Sequence, residues 1–394
     1  QVNASIGAGA SVNATKEDVS LQAANDLTVV GIAGALGVGG TNGVGGGANA
    51  EVIYTDTEAV TGEGSSVTAA DDIDIKADSK ERVTTVAAAG ASGSSVAAAG
   101  AINGNVMNTT TRAAVGKSAK AVAQDSAAVS AADDSVYTLV AGSAALSKSS
   151  DSTNQPGATG APVNTTPAGQ GGVSGQGSST AAGGAAAVGV VHKTVQAEIG
   201  ESAEVNAYAK AGTHDSGLTA NDGTIGTKYQ AYSDADTNEA KAAKTLQSQQ
   251  AAAQDSNNSN AAEKTLHART SENLTGDVTS KEYVATANTA EVHGLSVTAV
   301  SEDSVRSVSA GAAAATQENG KAFEGAVGVN EIEHTTEAKI DNNAKINTAA
   351  GNDQANADRG QGVQVRAAND TYHLAVPGGA AVASGTSVGR SAAV

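Results

Sequence analysis

The sequence predicts an all-β protein, a parallel β-helix (β-solenoid) of about five units of ~54 residues carrying inserted loops and one short helical excursion. Three observations lead there: a composition almost without large side chains, a pair of alternating boxes that recurs along the chain, and long Ala/Gly/Val runs between the boxes.

The 394 residues include 47 Gly, no Trp, no Cys, one Phe and one Met. A compact globule of this length fills its centre with bulky side chains at close-packed density. Ala and Val reach that density only where backbones approach closely, which favours a layered, elongated shape over a compact multidomain enzyme. A net charge of −18 lacks the basic footprint that nucleic acid or an anionic lipid surface requires. The absence of Cys removes disulfides and thiolate metal sites.

The run "VTTVAAAGASGSSVAAAGAINGNV" (83–106) has the length of a membrane span but not the bulk, since it holds no Leu or Phe and is broken by Gly and Ser. It reads instead as one layer of the repeat.

The first box is "ASIGAGASVNA" from Ala4, and it returns from Ala59, Ala113, Ala197 and Ala338. Each copy alternates small or apolar residues with polar ones, the period of a strand. A Gly marks the bend in four copies (Gly7, Gly62, Gly116 and Gly200), with Asp341 in the fifth. The second box, "VSLQAAND" from Val19, recurs from Ile73, Ala127, Leu295 and Val363 and is expected to end in an Asp-bearing corner. Each unit is expected to make two or three coils. Alternation places Ile6, Val12, Val19, Leu21, Ile73, Ile75, Val297 and Val365 in the core.

The whole of 1–394 is thus expected to be one elongated solenoid. Three stretches interrupt the repeat: an inserted loop over 147–180, which holds three of the four Pro, a partly helical excursion over 208–294, and a minor insert over 350–361. Within the excursion, 237–253 and 260–269 read as short helices with Asp236 and Ser259 near their caps.

No catalytic constellation emerges. The six His (His192, His214, His267, His293, His334 and His373) have no paired metal spacing, and the strand positions of His192 and His334 read as surface. No G-x-S-x-G elbow or phosphate loop is present, so no catalytic residue, no cofactor and no enzymatic activity are expected. The recurring chemical feature is the Asp of the second box: Asp26, Asp78, Asp133, Asp134, Asp303 and Asp370. Asp closes turns with its own side chain, and that is the expected role. Calcium between stacked carboxylates is the one metal chemistry these residues would suit.

The pattern Thr-x-Ala-x-Ile-Gly-x-x-Ala-x-Val-x-Ala, then an alternating strand, then an Ala/Gly/Val run, resembles the repeats of filamentous-haemagglutinin-like adhesins and leukotoxin-type autotransporter passengers of Gram-negative bacteria. The resemblance covers the five units and not 147–180 or 208–294. It implies an extracellular rod at the bacterial cell surface that spaces, displays or adheres to a host-cell or cell-surface receptor, with no membrane insertion of this segment. A self-assembling extracellular filament is the alternative, and a polysaccharide-active β-helix enzyme a lesser one, given eight scattered aromatics. The sequence opens just ahead of a first box and stops where another would begin, so the expected partner is a second copy head to tail, or adjoining repeats of a longer chain. Val2, Ile6, Val388 and Val394 are the expected seam.

Overall fold

The computed structural model describes residues 1–147, 179–210, 217–231, 281–348 and 357–394, apart from 318 and 359. The chain winds as a parallel β-solenoid. The first coil is β1 (Val2–Ile6), β2 (Ser11–Ala14) and β3 (Val19–Val38). The second is β4 (Asn42–Thr61), β5 (Ser66–Ala69) and β6 (Ile73–Gly93), and the third β7 (Val96–Val115), β8 (Lys120–Ala123) and β9 (Ala127–Ser147). The fourth begins with β10 (Thr180–Ile199) and β11 (Glu204–Ala207), leaves the stack as an antiparallel hairpin of β12 (Thr219–Ala231) and β13 (Lys281–Glu291), and returns as β14 (Gly294–Ala315). The fifth is β15 (Lys321–Ile340), β16 (Lys345–Ile346) and β17 (Gly362–Ala383), followed by β18 (Thr386–Ala393).

Three parallel sheets result. Sheet A is β1-β4-β7-β10-β15-β18, sheet B is β2-β5-β8-β11-β16, and sheet C is β3-β6-β9-β14-β17. Each ~54-residue unit makes one coil, not two or three, because the second box and the Ala/Gly/Val run after it form a single strand of 20 residues or more. At about 3.3 Å per residue such a strand reaches ~65 Å, whereas five or six rows spaced ~4.8 Å apart rise only ~25 Å. The described solenoid is therefore broader across the coil than along the stack, and the expected elongation is not reached within it.

The cross-section has two parts. At one end sheets A, B and C close a triangular prism whose core is Ala59, Val67, Ala69, Ile73, Ile75 and Ala77 with their equivalents in other coils. Ile6, Val19 and Leu21 pack against it, and Val12 is half-buried. Val297 is buried, whereas Val365, in register with it, is 42% exposed because it lies in the last row of sheet C. Beyond the prism, sheets A and C face each other alone as a thin slab filled by Ala87, Ala89, Ala97, Ala99 and their equivalents.

The small residues are what let that slab close. A Cβ on Gly45 would lie 1.9 Å from the Gly90 carbonyl oxygen, and one on Gly43 would lie 1.9 Å from that of Ser92. The run 83–106 spans the turn from β6 to β7 in this slab, a repeat layer as its composition indicates.

Corners are laddered by backbone. Gly9, Gly64, Ser118, Ser202 and Asn343 all take left-handed φ between 53° and 67° at the A-to-B bend. The amide of each of the first four donates to a carbonyl of the next coil, as in Gly64 N–H to Lys117 O at 2.9 Å. The described chain breaks off at the C-to-A turn between β9 and β10 and, in the fourth and fifth coils, at the B-to-C corner. The described parts of 208–294 contain strands rather than helix, and the base of the hairpin packs Leu218, Ala220 and Val292 on Ala128 of sheet C. The sequence-predicted helices at 237–253 and 260–269 lie outside the described residues. No helix among the described residues is long and apolar enough to cross a membrane.

Candidate functional site

Between the prism and the slab the interior turns polar. In sheet C the register stacks Asn25, Ser79, Asp133, Ser301 and Asn369 as one inward row, and Leu27, Glu81, Ser135, Asp303 and Thr371 as the next. Facing them from sheet A are Thr55, Thr109, Lys193 and His334. Every strand contributes by its alternation, so the column is fixed once the register is set.

Lys193 is the centre. Its side chain is wholly buried, as are those of Asp133 and Asp303, and Nζ contacts both carboxylates, Asp303 Oδ1 at 2.6 Å. Nζ also donates to Ser135 Oγ at 2.8 Å. Burial opposes the charge on Lys193, but the Asp133 and Asp303 carboxylates outweigh it and hold its pKa above the usual lysine value. Asp133 Oδ2 accepts from Thr111 Oγ1 at 2.9 Å, and Asp303 Oδ2 accepts from Ser301 Oγ at 2.9 Å.

Two further ionisable groups flank the pair. Glu81 is fully buried, and burial together with the nearby Asp133 charge pushes its carboxyl up to about 7. It accepts from Ser79 Oγ at 2.5 Å. His334 Nδ1 lies 3.1 Å from Asp303 Oδ2, its side chain 5% exposed, and burial pulls its pKa below the ordinary value. Tyr137, also buried, lies in the adjoining apolar cluster with Val83, Met107, Leu139 and Val305.

The six sequence-predicted Asp do not share an edge, and none closes a corner. They lie within the long strands of sheet C, because the chain continues straight past the second box. Asp133 and Asp303 point inward to Lys193. Asp26, Asp134 and Asp370 stack outward in one row with Lys80 and Glu302, and Asp134 pairs with Arg82 at 2.8 Å. Asp78 stands outward in a separate row, bonded to Lys76 at 2.7 Å. The corner role belongs to other residues: Asp18 Oδ1 accepts the Asp72 amide at 2.9 Å, and Asp72 Oδ1 accepts the Ser126 amide at 2.8 Å. Oxygens of Asp18, Asp71 and Asp72 come within 4.8 Å of one another. Burial and the surrounding Asp charges push Asp72 up to about 7.

Sequence reasoning missed Lys193, Glu81 and Ser135 as partners and placed His334 on the surface. The available signal was a Lys at an inward-parity position in the strand before a first box, where other copies carry Thr55 and Thr109. Of the expected seam residues, Val2 and Ile6 in β1 pack against the prism core, whereas Val388 and Val394 are exposed.

The outer face of sheet A over the slab is apolar. Val44, Ala98, Ala182, Phe323 and Val388 form one outward row, and Ala48, Ile102, Ala186 and Val327 form another, with Val44 72% and Ile102 58% exposed. Comparison with protein-family models, with curated proteins and with solved structures returns no match.

Proposed function

We propose that the chain is part of a structural extracellular β-solenoid scaffold of a bacterial surface adhesin, non-enzymatic, whose exposed outer face of sheet A contacts a receptor or another surface. The observation that carries this reading is that apolar face. Contiguous exposed apolar surface on a rigid sheet marks a contact site, and here it rests on a backbone laddered coil to coil. The resemblance of the repeat boxes to adhesin passengers supports the extracellular placement. The test is display of the chain on beads and measurement of their retention on host cells and on each other. Ile102→Lys with Val327→Lys should abolish retention while leaving the melting temperature unchanged. Retention that survives both charges would refute the contact surface.

A filament of stacked copies is the second reading. It is favoured by the long outer rows β3 and β17, each of which presents one unpaired backbone edge among the described residues, the kind of template a further coil or a second copy covers. Electron microscopy of the purified chain, with Val2→Asp and Val394→Asp as the charged comparison, separates isolated particles from linear assemblies.

A further inference from the structure

We propose that Lys193 and Asp133 become joined by an amide bond between Nζ and Cγ, a covalent strut linking sheet A of the fourth coil to sheet C of the third.

Three observations lead to this. First, the amine and the carboxyl are in contact with no exposed side-chain surface on either. Reacting groups held in van der Waals contact in a site closed to water have most of the entropic cost of meeting already met. Second, the hydrogen bonding requires an acid beside them. Ser135 Oγ accepts from Lys193, and its single hydrogen faces both Glu81 Oε2 at 2.8 Å and Asp133 Oδ1 at 2.7 Å. A hydroxyl donates once, so one carboxyl brings its own proton. Glu81, whose carboxyl is raised by burial, supplies it, giving a chain from Glu81 O–H to Ser135 and from Ser135 O–H to Asp133. Third, Asp133 also accepts from Thr111, which polarises its carboxyl. The chain of donors from Glu81 ends on Asp133, while Asp303, facing His334, holds the ammonium in place.

The reaction balances without any co-reactant. A proton passes from the ammonium to the Asp133 carboxylate, against the ion pairing that favours the charged lysine, and leaves a neutral amine and acid in contact. The nitrogen lone pair adds to Cγ and forms the C–N bond. A second proton leaves nitrogen for the Glu81–Ser135 chain, which returns one to the departing hydroxyl, and the C–O bond breaks to release water. Glu81 ends protonated, as it began. One ammonium and one carboxylate become one amide and one water, with no change of oxidation state. His334, 3.1 Å from Asp303, is then the ring left beside that carboxylate.

The test is the intact mass of the folded chain 1–394, followed by proteolysis under denaturing conditions. The expected result is a mass lower than that of the sequence by one water, with a branched peptide joining the Lys193 and Asp133 segments. Asp133→Asn should be lower by one ammonia instead. Glu81→Gln should show the full sequence mass with unchanged circular dichroism. A wild-type chain at full mass whose Lys193 amine reacts after denaturation overturns the proposal. So does a water loss that maps to Asp303 or to a succinimide within one segment. Persistence of the branched peptide in Glu81→Gln overturns the relay.

Discussion

Lys193 of sheet A and Asp303 of sheet C meet at 2.6 Å across the interior of the fourth coil, with neither side chain exposed. A charge so placed is stable only with its partners, because an uncompensated ion in an apolar interior is costly.

Replacing Lys193 by Met should therefore destabilise the chain by about 3–5 kcal/mol, since it strands Asp133 and Asp303 together. Denaturant unfolding measures this. The triple change Lys193→Met, Asp133→Ala and Asp303→Ala should recover part of the loss, because no charge is then left without a partner.

Stability should fall as pH rises from the ordinary carboxyl range through about 7. Burial raises Asp72, Glu81, Glu302 and Glu324 each to about 7. Between the unfolded value and about 7 the folded state holds protons that the unfolded chain has released, so the stabilisation is full below that window and is lost across it. His334, with its lowered pKa, acts in the opposite sense below its ordinary value, but it is one group against four. Melting temperature from pH 5 to pH 8 should decline, and Glu324→Gln should shrink the decline.

Ile75 is 1% exposed in the prism core, so Ile75→Asp should cost roughly 4 kcal/mol or more by leaving a charge there without a counter-ion. An unchanged melting temperature would contradict the inward register.

Gly45→Val should fail for a steric reason, since its first carbon would already sit 1.9 Å from the Gly90 carbonyl oxygen. Separating sheets A and C to admit it should lower stability by at least ~1–3 kcal/mol. Ser202→Gly should do the reverse. Ser202 has φ of 59°, a region that costs a residue with a Cβ about 1 kcal/mol, so the change should raise the melting temperature.

The sequence by itself determined the parallel coil, because alternation and a fixed repeat length leave little else for strands of such small residues to do. It determined the prism core as well: Ile73, Ile75 and Val297 are buried where period two puts them. The tertiary structure alone decided how many strands a unit makes. Nothing local distinguishes a corner at Asp78 from a strand that runs on to Gly93, because the choice depends on whether a facing sheet lies close enough to pair small side chains across the slab. It alone decided, too, which polar residues meet. Glu81, Asp133, Lys193, Asp303 and His334 come from five strands in four coils, and their contact is a product of register between rows and of the narrow gap between two sheets, neither of which any single stretch of sequence contains.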